Sequence, residues 1–255
     1  MPYKFATESE DYADYASGQV FYRAPGHPAF PMRLTTEIFQ RCLAIRTESG
    51  NNGPVTLYDP CCGGAYHLST LANLHWHEIG TIIASDIDKD ILSVAVRNLN
   101  LLTRPGLKQR INEISALLST YGKPSHAAAL ESATRLLSLL EKNSFVHQVD
   151  TYLFAANATN SHELIRELID KDIDIVISDV PYGKRSIWQE TKDAVEQQSG
   201  SLWQMLEAML PVLNINTVVA IAVDKTQKCK HAQYKQIERF KVGKRQVFLL
   251  QPQAI

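Results

Sequence analysis

The chain alternates between short apolar runs and longer stretches whose apolar residues recur every three or four positions. Val55–Tyr58, Thr81–Ser85, Phe145–Val149, Asp174–Ser178 and Thr217–Val223 read as strands. Between them, Tyr66–Trp76, Lys89–Leu102, Ser161–Asp170 and Ser201–Leu213 carry helical periodicity. In Lys89–Leu102, for instance, Ile91, Leu92, Ala95 and Leu99 fall on one face, and Asp88 stands where a helix cap belongs. Strands alternating with helices predict parallel βαβ units and a doubly wound α/β sheet. Tyr234–Lys241 and Arg245–Gln251, joined near Val242-Gly243-Lys244, predict a closing antiparallel hairpin.

Two stretches depart from the alternation. Met32–Arg46 is a helix by the spacing of Leu34, Ile38, Cys42 and Ile45. It is followed by the turn-rich Glu48–Pro54, so residues 1–53 form an N-terminal extension packed on a core of residues 54–255. Leu107–Tyr121 and Ser125–Glu141, separated by Gly122-Lys123-Pro124, form a helical insertion at about 104–144, longer than an ordinary connection.

Composition narrows the class. Hydrophobic residues make up 45% of the 255, which suits a globular protein with a sizeable core. No apolar run approaches the roughly 20 residues of a membrane span, and the polar, acidic start has no signal-like segment, so a soluble cytoplasmic protein is expected. The four cysteines have no C-x-x-C spacing. Neither a zinc site nor a disulfide framework is expected, and Cys61 and Cys62 read as reduced, small and semi-buried. His75, His77 and His162 lack the spacing of metal ligands, so no metal is expected. The formal charge is −1, but residues 225–245 hold eight Lys or Arg and one Glu. Such a patch binds phosphates locally, or is simply a solvated surface hairpin.

The candidate chemistry sits at strand ends. Asp59, Asp86, Asp150 and Asp179 each close a predicted strand, and in a parallel sheet those ends share one crevice. The turn Asp59-Pro60-Cys61-Cys62-Gly63-Gly64 lacks the later glycines of a dinucleotide site, and Asp59 is poorly placed beside a pyrophosphate. An acidic turn suits S-adenosylmethionine, which has no phosphate and carries an ammonium and a sulfonium. Asp86, 23 residues after Gly63, is placed for ribose hydroxyls.

Asp179-Val180-Pro181-Tyr182 resembles the (Asn/Asp)-Pro-Pro-(Tyr/Phe) motif of class I methyltransferases acting on nucleobase nitrogens, with Val180 replacing the first proline. The acid and a backbone carbonyl orient a base N–H, and the aromatic ring stacks on the base. Lys184, Arg185 and Trp188 follow as a basic-aromatic loop.

Longer strings resemble the avilamycin-resistance ribosomal RNA methyltransferase family across almost the whole chain. They are Ala24-Pro25-Gly26-His27-Pro28-Ala29-Phe30-Pro31, Tyr58–Gly63, Ile83–Asp88, Gly122–Ser125 and Asp179–Trp188. The resemblance implies a Rossmann-like class I fold with a seven-stranded sheet, and methylation of a guanine ring nitrogen (N1 or N7) in 23S ribosomal RNA from S-adenosylmethionine. It implies cofactor contacts at Asp59, Cys61, Gly63, Gly64, Asp86, Ile87 and Asp150, and a base pocket at Asp179, Pro181 and Tyr182. With the basic stretches, RNA contacts are expected at Lys184, Arg185, Trp188, Lys228, Lys230, Lys244 and Arg245. The family's turn ends Cys-Gly-Ser-Gly where this chain has Cys62-Gly63-Gly64-Ala65, and Gly64 is expected to supply the flexibility lost at Ala65. A monomer is expected. The alternatives are methylation of tRNA, DNA or protein, or a non-catalytic RNA-binding factor on the same fold.

Overall fold

The structure is a computed structural model. It describes residues 3–8, 10–23, 29–180 and 196–253, and of 196–199 the backbone alone. Among the described residues, α1 (Met32–Glu48) precedes β1 (Val55–Asp59), α2 (Tyr66–Leu74), β2 (Ile79–Asp86) and α3 (Lys89–Asn100). The insertion is α4 (Arg104–Tyr121) and α5 (Pro124–Asn143). Then come β3 (Asp150–Ala155), α6 (Ser161–Leu168), β4 (Ile175–Asp179), α7 (Glu196–Met209), β5 (Val218–Asp224), β6 (Tyr234–Val242) and β7 (Arg245–Pro252).

The seven strands form one sheet in the order β3-β2-β1-β4-β5-β7-β6. The first five are parallel, while β7 runs antiparallel to β5 and β6 antiparallel to β7. This is the expected mostly parallel sheet with its closing hairpin. The chain starts outward from β1 in one direction and returns to β4 on its other side, so the crevice lies between the carboxyl ends of β1 and β4.

Both faces are covered, which is why the central strands read as continuous apolar runs. In β5, Val218, Ala220 and Ala222 pack with Leu57, Ile82, Ile175 and Leu249 under α1, α2 and α3. Val219, Ile221 and Val223 pack with Tyr58, Ile83, Val176 and Phe248 under α6 and α7. Asp88 caps α3 by accepting from the N–H groups of Asp90 and Ile91.

The third strand departs from expectation. Phe145 and Val146 are 94% and 67% exposed at the end of α5, and the strand begins at Asp150. β3 is an edge strand paired only with β2, so it is half-exposed and carries the weaker pattern Asp150-Thr151-Tyr152-Leu153-Phe154-Ala155. Asp150 lies opposite Thr81 and Ala155 opposite Asp86. Asp150 is therefore at the amino edge, about 16 Å of strand away from the crevice, and the placement read from sequence is corrected. Ala156 and Asn157 follow β3 at the carboxyl edge instead.

Residues before β1 share the main core: Val20, Phe21, Leu34, Ile38 and Phe39 are fully or nearly fully buried. The insertion has a mechanical partner in this segment. Arg110 on α4 donates to the carbonyls of Val20 (2.8 Å) and Gln19 (2.6 Å). Arg135 and Ser132 on α5 bind Asp14. Residues 13–22 are thus clamped between α2–α3 and the α4–α5 hairpin.

Candidate active site

The site is built where β1, β2 and β4 end. After β1 the chain must reverse over the sheet edge, and it does so through two left-handed residues, Gly63 (φ 52°) and Ala65 (φ 51°). Glycine adopts this conformation freely. Alanine does so at a cost of about 1 kcal/mol, here with its methyl fully buried. Ala65 thus takes the left-handed conformation itself, and no substitution of flexibility by Gly64 is needed.

The turn is fastened from three sides. The Gly63 N–H donates to Asp86 Oδ2 (2.8 Å), and the Asp88 N–H donates to Asp86 Oδ1 (3.0 Å). The Asn98 side chain donates to the Gly64 carbonyl (2.8 Å) and to that of Tyr22 (3.0 Å), coupling the turn to the N-terminal segment. The Cys61 N–H donates to Asp59 Oδ1 (2.9 Å). Burial, reinforced by the Asp59 and Asp86 carboxylates, pushes the Cys61 and Cys62 thiols far above the usual range. They stay protonated and are unsuited to nucleophilic chemistry.

Asp59 is fully buried, and its Oδ2 lies 2.9 Å from Nε2 of His67, on the first turn of α2. Neither atom makes an aligned hydrogen bond among the described residues, so the two meet as a close polar contact. Reading the sequence missed His67. Its signal is an imidazole on the first turn of the helix that follows an acidic strand end.

Asp179 closes β4. Arg245 at the start of β7 holds it with two bonds, Nε to Oδ1 (3.3 Å) and Nη2 to Oδ2 (3.0 Å). Burial raises the proton affinity of Asp179 above the usual carboxylate range, with Asp59 adding to it and Arg245 and His67 opposing it. The Arg245 guanidinium lies over the Phe30 ring, 5.4 Å from its centroid, and that ring meets His67 edge-on at 5.9 Å. Phe30 therefore belongs to the site, which its place in a matching string did not reveal.

Arg245, expected among the RNA-binding cations of the hairpin, lies in the crevice against Asp179 with 20% of its side chain exposed. Lys228, Lys230 and Lys244 are exposed on the surface as expected. Pro181, Tyr182, Lys184, Arg185 and Trp188 lie outside the described residues.

The arrangement suits a nucleoside with a cationic tail. Asp86 offers a carboxylate at the end of β2 for ribose hydroxyls, and the neighbouring Ile87 side chain is 44% exposed, an apolar surface for a purine. Asn157, past β3, supplies an amide at the same edge; its Oδ1 already accepts from the Thr159 N–H and hydroxyl. Among the described residues, no group of three or more His, Cys, Asp or Glu side chains is placed to hold a metal ion, and no helix is long and apolar enough to cross a membrane.

Residues 1–245 match the family described as rRNA methyltransferase AviRa. The chain is 38% identical over 248 residues to the 23S rRNA (guanine(2535)-N(1))-methyltransferase of Streptomyces viridochromogenes, covering 97% of this chain and 95% of that one. A solved structure of rRNA methyltransferase AviRa from the same organism aligns with a TM-score of 0.84 at 36% identity, over 98% of this chain and 96% of that one. The putative methyltransferase yhhF of Escherichia coli, at 12% identity and a TM-score of 0.50 over 91% of this chain and 90% of that one, shares the fold alone. With the sheet order, the strand-end acids and the matched length in agreement, the chain belongs to the AviRa rRNA methyltransferase family.

Proposed function

We propose that this protein methylates N1 of a guanine in 23S ribosomal RNA, with S-adenosylmethionine as donor. The observation that carries the reading is Asp179: a largely buried carboxylate of raised proton affinity at the end of β4, facing the crevice beside Asp59. Methylation at N1 requires the N1 proton to leave, whereas N7 carries none. A carboxylate that holds protons more readily than usual, placed against the base edge, fits the first reaction and has no task in the second. The curated relative named for guanine-N1 transfer supports the same choice.

S-adenosylmethionine, when bound, supplies an electrophilic methyl group whose carbon–sulfur bond breaks towards sulfur. The protein's residues do the rest. Asp86 and Ile87 hold the nucleoside part, with the left-handed turn at Gly63 beside them. Asp179 accepts from the guanine N1–H, aims the nitrogen at the methyl and takes the proton as the new bond forms. Pro181 and Tyr182 complete the base pocket, and Lys184, Arg185, Trp188, Lys228, Lys230 and Lys244 meet the surrounding RNA. Catalysis is mainly positioning, because the donor is already reactive.

N1-methylguanine cannot form a Watson–Crick pair, so it stops reverse transcriptase. 23S ribosomal RNA from cells lacking the protein, treated with purified enzyme and S-adenosylmethionine, is expected to gain one stop at a guanine. Asp179→Asn is expected to lower that rate about 100-fold or more while still binding the cofactor in calorimetry. Methylation found at N7, or full activity in Asp179→Asn, rejects the reading.

A further inference from the structure

Guanine is the one standard base whose Watson–Crick edge presents two adjacent N–H donors, N1–H and the exocyclic N2–H, on one N–C–N unit. A guanidinium presents the same pair on Nε–Cζ–Nη2, and a carboxylate accepts either fork with both oxygens. In the structure it is Arg245 that lies across Asp179 in this way. The topology makes the pairing possible. β7 is antiparallel, so its first residue stands at the carboxyl edge, opposite Asp224 on β5. From there its side chain reaches past β5 to the end of β4, where Asp179 is opposite Ala222.

We propose that Arg245 is a positioning residue that occupies the guanine-recognising edge of Asp179 until the base arrives, holding the carboxylate ionised and aligned for exchange. The inference rests on Asp179 being the acceptor of guanine N1–H, as set out above. Three features favour a clamp that yields over a permanent brace. The two bonds, 3.0 and 3.3 Å, are longer than the roughly 2.7–2.9 Å of a tight charged pair. The guanidinium keeps a resting surface on the Phe30 ring when it lets go. The pair is also partly open to the crevice, with 20% and 18% of the two side chains exposed. Without the clamp, the desolvated carboxylate tends to take a proton from water, and a protonated Asp179 cannot accept from N1–H.

Among the described residues, the charged and titratable groups facing Asp179 are Arg245 from β7, His67 from α2 and Asp59 from β1. Only the first is changed in the test. Removing Arg245 removes an opposing cation, so the proton affinity of Asp179 rises and its ionised fraction at a given pH falls. In Arg245→Gln, the acidic limb of the pH profile of kcat/KM on 23S ribosomal RNA is expected to move up by about one pH unit or more. The loss is then about tenfold or more on the acidic side and shrinks as pH rises. Arg245→Lys keeps a cation without the fork, and its limb is expected to lie between those of the other two proteins. Cofactor affinity and thermal melting confirm that both variants are folded. A loss equal at every pH with an unmoved limb overturns the proposal, as a structural brace predicts. So does an unmoved limb with a shallower salt dependence of RNA binding, as a phosphate contact predicts. If the wild-type enzyme transfers no methyl to guanine, the functional reading fails first, before any variant is made.

Discussion

At the scale of single residues, the site is a set of buried charges arranged to offset one another. Asp59 and Asp179 end adjacent strands, and the His67 imidazole and the Arg245 guanidinium are brought against them. Asp59 has no exposed surface, and among the described residues the His67 imidazole and the Cys61 N–H are the polar groups that meet it. Replacing His67 with Phe keeps the ring volume and strands the carboxylate. The expected loss is about 2 kcal/mol or more of folding stability, read from urea denaturation. Adding Asp59→Asn to that variant is expected to recover part of it, because the two sites share one interaction. A single variant within about 1 kcal/mol of wild type would show that the contact contributes little. Residues of this kind were half legible in the sequence. An acid at a strand end announces itself, but the side chain that answers it arrives from 8 residues away in one case and 66 in the other.

At the scale of elements, α1 does more than cover the sheet. Its Glu37, fully buried, accepts from the N–H groups of Lys4, Phe5 and Ala6 and pairs with Arg41, which in turn reaches Glu238 on β6. Burial disfavours the charge, yet the three backbone donors and Arg41 outweigh it and hold the Glu37 carboxyl below its usual range. A depressed carboxylate contributes stability that is present above its unfolded value and lost as pH falls through the folded one. Glu37→Gln is therefore expected to cost about 2–4 kcal/mol at pH 7, with the gap to wild type narrowing in acid as the native carboxyl protonates. Denaturant melts of both proteins from pH 7 to pH 3 test this, and a gap that stays constant would contradict it. The helices themselves were readable from periodicity, as was the cap at Asp88. The third strand was not. An edge strand is buried against one neighbour only, so its apolar content is low, and the exposed Phe145-Val146 pair imitated it better than the real segment did.

At the scale of the whole molecule, near-neutral net charge coexists with a concentrated cationic surface. Lys225, Lys228, Lys230, Lys235, Arg239, Lys241 and Lys244 are all exposed around the β5–β6 connection and the closing hairpin. Binding RNA there releases counterions, so affinity falls with salt in proportion to the phosphates neutralised. Changing Lys228, Lys230 and Lys244 together to Ala is expected to reduce the slope of log affinity against log salt by about 2, leaving cofactor affinity unaltered. An unchanged slope in filter binding would place the RNA elsewhere.

The order of elements, the doubly wound sheet and the strand-end acids Asp59, Asp86 and Asp179 follow from the sequence by itself, because local periodicity and the short turns after strands are local properties. The resemblance carried by its longer strings pointed to the same family. Tertiary structure alone decided which acids meet. Register put Asp150 at the far edge of the sheet and Asn157 in its place. An antiparallel last strand delivered Arg245, outwardly one more cation in a basic hairpin, to the carboxylate of Asp179. Those outcomes depend on which strand ends are neighbours across the sheet, and contacts between residues distant in the chain leave no periodic trace along it.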